Sequence, residues 1–501
     1  MATQTGHDTA GGTLRRTLTF RDLVVYGLLF IAPMAPVGVF GTLDAKSHGA
    51  VALVYLVATV AMAFTAYSYA QMVRVAPKAG SVFTYARLGL GEGPGFIAGW
   101  MAMLDYLLIP AVAYLFSGIA MEALVPEVHR WVWTAIAVVV TTALNLLGVR
   151  AAALAGFLVL ALEIAVLLVF VAAAVVELAA HGAQRDWWSP FTAQGDFSTG
   201  AVLSAVSIAV LSYLGFDAIA SFAEETRDDG PARGGRGGTG RTGTGGEEPA
   251  RDGGPGPAPD GGRRGRDRTA AGGEASARVA RAVLTCLVVA GTLFVVQTYL
   301  AALLSPTSAA ELSEDPAAQG PAFYDAVDSA VGTWLHDLVA VSKAIGAAFA
   351  ALAGQAAAGR LVFAMARERR LPKVLATVDA PSGVPRRAVL LSAVVTLVAA
   401  VWAARRDNGL DRLVSVVDIG ALTAFTLLHA SVIGWFWVRR RADAPHPVRH
   451  VLIPLAGMAV TVAVIVEASE TAQLVGAVWL AVGLGVLAFE LLRSGELRGR
   501  P

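Results

Sequence analysis

Apolar residues occur along this chain in long stretches that are separated by short polar segments. Most of these stretches have about 17–25 residues, the length at which an α-helix spans the hydrocarbon core of a bilayer. The pattern predicts an all-α integral membrane protein with twelve transmembrane segments. Numbered in chain order, their predicted bounds are 22–41, 50–73, 95–122, 131–148, 153–178, 200–224, 280–304, 334–364, 388–404, 413–438, 450–468 and 472–492.

The composition excludes an ordinary soluble protein. Of the 501 residues, 55% are hydrophobic and 15% are charged, and the mean hydropathy is +0.60. A soluble domain carries about 25% charged residues. Cys286 is the single cysteine, which excludes a disulfide framework and a cysteine-based zinc site. The eight histidines are scattered, and Pro447 lies between His446 and His450, which are four apart, so neither a metal nor any other cofactor is expected.

Lysine and arginine are concentrated in alternate connecting segments. If the N-terminus is cytoplasmic, the cytoplasmic segments hold 32 of the 39 basic residues, as the positive-inside rule requires. This distribution predicts that both termini are cytoplasmic, with tails at 1–21 and 493–501. The first tail lacks a small-residue cleavage site, so we interpret it as a retained segment rather than a signal peptide.

The segment 227–278 differs from the rest of the chain. Its 52 residues include 17 glycines and 5 prolines but no Leu, Ile, Val, Phe, Tyr or Trp. Such a segment cannot bury enough apolar surface to offset its chain entropy, so it predicts a disordered cytoplasmic loop. A Gly-x-Gly-x-x-Gly pattern at 235–240 follows no strand, which argues against a dinucleotide site. The segment has no aromatic residue for base stacking, so nucleic acid is not an expected partner.

Two transmembrane segments contain helix-breaking residues. Segment 1 has Pro33 and Pro36 followed by Gly38 and Gly41, and segment 6 has Gly215 in mid-span. Interrupted helices at corresponding places indicate a transporter with an inverted repeat, although a simple kink would explain either segment alone. The repeats would be segments 1–5 (22–178) and segments 6–10 (200–438), followed by segments 11 and 12 (450–492).

Several motifs, taken in order, resemble the amino acid–polyamine–organocation superfamily of permeases, from about Leu18 to Arg493 apart from 227–278. They are Ala32-Pro-Met-Ala-Pro36, the stretch 77–85, Gly215-Phe-Asp-Ala218, Glu224-Glu-Thr226 and the stretch 360–372. The stretch 104–110 in segment 3 is most similar to bacterial putrescine importers. The resemblance implies a LeuT-like 5+5 inverted repeat in a bacterial plasma membrane. It also implies proton-coupled or exchange transport of amino acids or polyamines by alternating access.

The broken segments are expected to form a substrate site near the middle of the membrane, because half-helix N-termini attract a substrate carboxylate. A polyamine lacks a carboxylate and needs protein acids instead. For Asp105, an interhelical hydrogen bond or salt bridge is an equal alternative, and for Asp217 a structural or gating role is favoured. The predicted substrate-binding residues are Ala32, Pro33, Met34, Ala35, Gly38, Asp105, Tyr106, Tyr213, Gly215, Phe216 and Asp217.

Glu163 in segment 5 is the predicted proton-coupling residue. Some proton-coupled relatives have a lysine at the matching place, so their mechanism does not transfer directly to this chain. Burial favours the neutral form of a carboxyl group, and an approaching ammonium or a deprotonation step would bring out its charge. A glutamate that hydrogen-bonds a neighbouring helix throughout the cycle is the alternative.

Other charged residues have expected roles nearer the ends of the segments. Glu224 and Glu225 are expected to form an inner gate with Arg360 or Arg367. Lys343 is interpreted as a side chain that snorkels outward. Asp418 is interpreted as a solvated acid at the start of segment 10, facing Arg412.

The function predicted from these patterns is secondary import of an amino acid or polyamine, coupled to protons. Three acids in segments 3, 5 and 6 slightly favour a cationic substrate, and a neutral amino acid permease or exchanger is the alternative. A sodium site is disfavoured because 346–359 contains no Ser or Thr. A membrane enzyme that transfers a lipid-linked group would need acidic or histidine motifs in its loops, and none is present. No oligomeric state is predicted.

Overall fold

Helices are the only regular elements in the described part of the chain. The computed structural model describes residues 19–76, 82–147, 152–216, 219, 261–367, 372–379, 385–439 and 445–498. The α-helices are α1 Phe20–Ile31, α2 Phe40–Lys46, α3 Val51–Val75, α4 Val82–Leu90, α5 Glu92–Leu124, α6 Arg130–Leu147, α7 Ala152–His181, α8 Ser189–Thr192, α9 Thr199–Ala209, α10 Gly261–Leu304, α11 Ala309–Glu314, α12 Ala322–Ala330, α13 Thr333–Arg367, α14 Arg386–Ala404, α15 Gly409–Ile433, α16 Ile453–Val466 and α17 Glu470–Arg498.

Nine helices in the described part are long and apolar enough to span a membrane. They are α3, α5, α7, α10, α13, α14, α15, α16 together with the π-helical turn Val448–Leu452 that precedes it, and α17. Helices α6 and α9 are apolar but shorter, and predicted segment 1 is divided between α1 and α2. A helix suits these sequences because it satisfies every interior backbone hydrogen bond within the segment, as lipid surroundings require. The all-helical membrane architecture is confirmed, while the twelve-segment count and the inverted repeat stay predictions.

Helix α5 packs against six other helices. It contacts α4, α6, α13, α14, α15 and α17, while α3 packs chiefly on α10 and α9. The broken first segment is enclosed by this arrangement, since α1 contacts α7 and α10, and the turn that follows α1 also contacts α10. The turn that ends α9, where the second interruption lies, contacts α3 and α15, so both interrupted segments pack against continuous helices.

The structure adds short helices that the apolar pattern did not predict. Helices α8, α11 and α12 lie between the long helices and are too short to appear as apolar stretches. Helix α11 does begin at a capping box, in which Ser308 Oγ accepts from the Glu311 N–H and the Ser308 N–H donates to Glu311 Oε2 at 2.7 Å. The bond from the Ser308 N–H, together with a 3.0 Å bond that Ser308 Oγ donates to the same oxygen, lowers the pKa of the Glu311 carboxyl group. The motif was visible in the sequence and is missing from the prediction.

Helix α10 begins earlier than segment 7 was predicted to begin. It extends back to Gly261, inside the predicted loop 227–278, and its side chains are described from Ala277 onward. Residues 269–280 are rich in alanine and contain Glu274 and Arg278, all of which are favourable in a helix. The rest of the predicted loop, 227–260, lies outside the described residues.

Candidate functional site

The first apolar segment is interrupted where its prolines stand. Helix α1 ends at Ile31, and the next residue, Ala32, has φ 56° and ψ 104°, a conformation that a residue with a Cβ rarely adopts. A 3₁₀ turn spans Ala35–Gly38, and α2 follows from Phe40. Because prolines have no N–H to donate, carbonyl groups in this break must find other partners. The predicted interruption of segment 1 is therefore present.

Side chains from two neighbouring helices bind the carbonyl groups of the break. Lys343 Nζ on α13 donates a 3.0 Å hydrogen bond to Met34 O. Gln297 Nε2 on α10 donates to Pro33 O, also at 3.0 Å. The irregular backbone of segment 1 is thus held by polar side chains rather than by lipid-facing contacts, as its depth in the protein requires.

The interpretation of Lys343 as a snorkelling side chain is wrong. Lys343 is only 3% exposed, and its Nζ lies 5.0 Å from the centre of the Phe116 ring. Helix α13 begins ten residues earlier at Thr333, which places Lys343 about 15 Å along the helix, too deep for its side chain to reach the end. Its ammonium group instead contacts the break in segment 1.

Glu163 on α7 is enclosed by the bundle and faces α13, the helix that carries Lys343. It is 3% exposed, and its charge interacts with that of Lys343. Its Oε1 occupies the position that a Cβ would take on residue 346, which only glycine leaves free. The structure thus brings the predicted coupling residue to within electrostatic range of a lysine that contacts the broken segment.

The second interruption lies at the end of α9. A 3₁₀ turn spans Val210–Tyr213, and Gly215 has φ 107°, in the region that glycine favours. The Tyr213 hydroxyl lies 2.7 Å from Thr59 Oγ1. The Phe216 ring lies 5.9 Å from that of Phe425 on α15. The chain therefore leaves the helical path at the predicted place, while Asp217 lies outside the described residues.

The remaining predicted substrate residues lie on α5. Asp105 and Tyr106 are in the middle of this helix and are partly exposed. Gly38, at the end of the first break, contacts the Phe116 ring further along α5. Helix α5 therefore runs past the first break.

Asp418 is not the solvated helix-end acid that the sequence suggested. Helix α15 begins at Gly409, four residues before the predicted start of segment 10, so Asp418 is about two and a half turns inside the helix. It is 1% exposed and interacts electrostatically with Asp105. The apolar stretch alone did not reveal how far Asp418 lies from the end of the helix, because the helix begins earlier than the apolar stretch, among polar residues.

The predicted inner gate is only partly described. Arg360 and Arg367 lie at the end of α13 and are exposed. Glu224 and Glu225 lie outside the described residues, so their pairing with these arginines stays a prediction.

Comparison with known proteins adds the family. The amino acid permease family matches residues 23–232 through one of its models and residues 273–489 through another. The interval between these matches falls within the glycine-rich segment 227–278.

Three relatives show the range of similar proteins. The low-affinity putrescine importer PlaP of Escherichia coli strain K12 is 28% identical, over 95% of this chain and 93% of the importer. The branched-chain amino acid permease BcaP of Bacillus subtilis is 30% identical, over 43% of this chain and 49% of that permease. The vacuolar cationic amino acid transporter 2 of Arabidopsis thaliana is 26% identical, over 84% of this chain and 60% of that transporter.

The helical architecture, the two interrupted segments and these matches agree with one another. They indicate a multi-pass membrane transporter rather than an enzyme. The chain belongs to the amino acid–polyamine–organocation superfamily of permeases.

Proposed function

We propose that this permease imports an amino acid or a polyamine across a bacterial plasma membrane, together with protons, by alternating access. The substrate binds between the unwound backbone at Ala32–Gly38 and that at Tyr213–Asp217, with Asp105 and Tyr106 beside it. The proposal includes twelve transmembrane segments, an inverted repeat of segments 1–5 and 6–10, and cytoplasmic termini. Two interrupted helices surrounded by continuous ones support it, since transporters of this architecture bind substrate at such interruptions.

Proton coupling is supported chiefly by the hydrogen bond from Lys343 Nζ to Met34 O. It connects a buried charge directly to the backbone of a broken helix. Glu163 supplies the opposite charge nearby. A titratable residue placed in this way can influence the conformation of the break through the lysine.

The coupling can be described as a change in the charge around Lys343. While Glu163 is ionised, its negative charge offsets the buried ammonium group. Protonation of Glu163 removes that offset, and an uncompensated ammonium in apolar surroundings costs several kcal/mol. Conformations in which water reaches Lys343, or in which it releases Met34 O, then become more favourable. The protonation state of Glu163 thereby shifts the equilibrium between two conformations of segment 1.

Sodium is not part of the proposal. Carbonyl groups in an unwound transmembrane helix are suitable ligands for a coupling cation. In this protein the ammonium group of Lys343 binds the carbonyl of Met34. Transport is therefore expected to proceed without sodium.

Uptake by the purified protein in liposomes tests the function. Labelled putrescine, arginine and leucine are supplied outside, in sodium-free buffer, with an inside-alkaline pH gradient. We expect at least one of them to accumulate, a protonophore to abolish the accumulation, and added sodium to have no effect. Uptake no greater than that of empty liposomes for all three compounds, or uptake that requires sodium, would contradict the proposal.

A neutral amino acid permease or exchanger is the second candidate, favoured by the similarity to the branched-chain amino acid permease of Bacillus subtilis. The same panel separates the two candidates. A neutral substrate gives leucine uptake without uptake of putrescine or arginine. Pure exchange gives uptake only into liposomes that are preloaded with substrate.

A further inference from the structure

A cleft lies between the first turn of α1 and the beginning of the membrane-spanning part of α10. It has a volume of about 380 Å³ and is lined by Phe20 from α1 and by Arg278, Arg281, Leu284 and Thr285 from α10. None of the residues proposed for substrate binding or proton coupling lines it. The cleft is therefore separate from the transport site.

The two helices that form the cleft contact each other just beyond it. Cys286 Sγ on α10 lies 3.4 Å from Val24 O on α1 and donates to it, and Gly27 packs so closely on Cys286 that a Cβ would not fit. Phe20 precedes Val24 by about one helical turn. Arg281 precedes Cys286 by about one and a half turns. Both helices thus run past this contact toward the same side of the protein, where the cleft opens.

The arginines of the cleft lie at the boundary of the membrane. The part of α10 that can span a bilayer is Ala277–Leu304. With a rise of about 1.5 Å per residue, Arg278 and Arg281 lie within about 6 Å of the start of this span. Lipid headgroups occupy this level, between the hydrocarbon core and water. The two guanidinium groups are therefore at the depth of lipid phosphates.

The cleft has a net positive charge. Arg281 is exposed and Arg278 is partly exposed, and residues three apart are neighbours on the surface of a helix. Arg281 Nε binds Ala277 O of its own helix at 3.4 Å, so its two terminal nitrogens can donate to a ligand. Arg21 and Asp22, the charges in the first turn of α1, offset each other. The two arginines of α10 thus determine the sign of the charge.

An exposed apolar strip continues from the arginines toward the interior of the membrane. Leu284 and Val288 follow Arg281 by three and seven residues, a spacing that puts all three on one face of α10. Leu284 is 37% exposed, Val288 is 61% exposed, and Phe20 stands beside the strip on α1. Positive charge at the membrane boundary is thereby continuous with apolar surface at the depth of the hydrocarbon core.

We propose that this cleft binds an anionic phospholipid, with its phosphate on Arg278 and Arg281 and one acyl chain along Leu284 and Val288. A guanidinium group binds phosphate oxygens through two parallel hydrogen bonds, and the Thr285 hydroxyl group can donate a further one. Basic pockets between transmembrane helices recognise anionic headgroups in this way. The bound lipid would connect α1, which leads to the first break, with α10.

The charge of the headgroup decides which phospholipids fit. Phosphatidylglycerol carries a phosphate and no cation, so its charge complements the two arginines. Phosphatidylcholine carries the same phosphate together with a quaternary ammonium group, which the arginines repel. Inorganic phosphate offers the same oxygens but would leave the apolar strip uncovered. The test therefore compares these three ligands.

Native mass spectrometry of the purified protein in detergent counts the lipids that stay bound. Dioleoyl phosphatidylglycerol and dioleoyl phosphatidylcholine are titrated separately, and inorganic phosphate is then added in competition at equal concentration. The wild type is expected to bind its first phosphatidylglycerol at least about fivefold more tightly than phosphatidylcholine, since each basic residue near a headgroup contributes about that factor. Arg281→Gln is expected to weaken phosphatidylglycerol binding by about fivefold and to leave phosphatidylcholine binding nearly unchanged.

Arg74→Gln is the matched control. Arg74 is an exposed arginine in the last turn of α3, also predicted to be cytoplasmic, and it does not line the cleft. It removes the same charge, so it measures the general attraction of the protein surface for anionic lipid. Arg278→Gln is a second variant within the cleft, and size-exclusion chromatography establishes that each variant is folded. The control should bind phosphatidylglycerol as the wild type does, and Arg278→Gln should bind it more weakly.

Four outcomes would overturn the inference. Equal binding of the two lipids by the wild type would remove the role of charge, and an equal loss in Arg281→Gln and Arg74→Gln would show general attraction only. Unchanged binding in folded Arg281→Gln and Arg278→Gln would place the lipid elsewhere. Displacement of phosphatidylglycerol by an equal concentration of inorganic phosphate would indicate a site for a free anion. The measurement needs no substrate, so it does not depend on the proposed function.

Discussion

The side chains that give this bundle its chemistry are charges enclosed by apolar helices. Glu163 and Lys343 lie on different helices, and Lys343 contacts the backbone of Met34. The sequence predicted Glu163 alone as the proton-coupling residue, and the structure adds Lys343 as the cation through which it can act. The hypothesis is that protonation of Glu163 removes the negative charge that offsets Lys343, and that this change alters the interaction of Lys343 with the backbone of the break.

Replacing Glu163 with glutamine tests that hypothesis. Glu163→Gln keeps the shape of the side chain and removes its titration. We expect the variant to exchange labelled substrate with preloaded liposomes at a rate close to that of the wild type. Accumulation driven by a pH gradient should fall to the level seen with a protonophore, because no proton then accompanies the substrate.

Glu177→Gln is the control for this substitution. Glu177 is on the same helix, where it pairs with His181 at 2.7 Å near the end of α7. This control should retain gradient-driven accumulation. If folded Glu163→Gln also accumulates substrate in response to the gradient, Glu163 is not the coupling residue.

Sequence could identify the buried charges but not their depth. Glu163 is surrounded by apolar residues on both sides, so its burial followed from the pattern. Asp418 was misplaced because α15 begins four residues before the predicted segment, which puts the acid deeper in the helix. Lys343 was misplaced because the sequence does not show that its ammonium group binds Met34 O inside the bundle. No sequence pattern indicated a role for Gln297. It donates to the carbonyl group of Pro33, which lacks a helical partner only because the helix is broken there.

At the scale of elements, the two interrupted segments differ from all the continuous helices around them. Pro33 and Pro36 lack the N–H donors of a regular helix, and Gly215 adopts φ 107°. Because proline and glycine produce these effects locally, the positions of the breaks could be predicted from sequence. The short helices α8, α11 and α12 could not, since their ends depend on tertiary packing and caps more than on apolar length.

Helix α2, which follows the break in segment 1, is held by an ion pair that the sequence did not reveal. Arg185 Nη2 lies 2.8 Å from Asp44 Oδ2 on α2. The same guanidinium group donates to the carbonyl of Thr307 in the loop after α10. The partners are more than a hundred residues apart in the chain, so no local pattern could have paired them.

Substitution of Gly215 by leucine tests the second break. Gly215→Leu should insert and remain monodisperse but lose transport, because backbone and substrate are proposed to meet there and a side chain would obstruct both. A residue with a Cβ in this conformation also strains the backbone by about 1–3 kcal/mol. Uptake in liposomes and size-exclusion chromatography are the measurements.

Gly182→Leu separates strain from the effect on the site. Gly182 also has positive φ, at 81°, but a Cβ there would meet only open space. Gly182→Leu should strain the backbone in the same way and should still transport substrate. Wild-type uptake by Gly215→Leu would place the substrate site away from segment 6.

At the scale of the whole molecule, the chain combines a continuous helical scaffold with a site formed by irregular backbone and a few charges. The long helices and the family could be predicted, because apolar length and the ordered motifs are carried by the sequence itself. The packing of α5 against six other helices was not predictable in the same way, since it depends on which helices meet. The low-complexity segment between the two family matches has no part in the proposed transport site.

Proton entry that accompanies substrate entry tests the central claim most directly. Liposomes containing the wild-type protein and an enclosed pH-sensitive dye receive unlabelled substrate outside, with equal pH on both sides and the membrane potential clamped. The account predicts that the lumen acidifies as substrate enters, and that Glu163→Gln gives no such acidification under the same conditions. Entry of substrate into wild-type liposomes without any change in lumenal pH would contradict proton-coupled import.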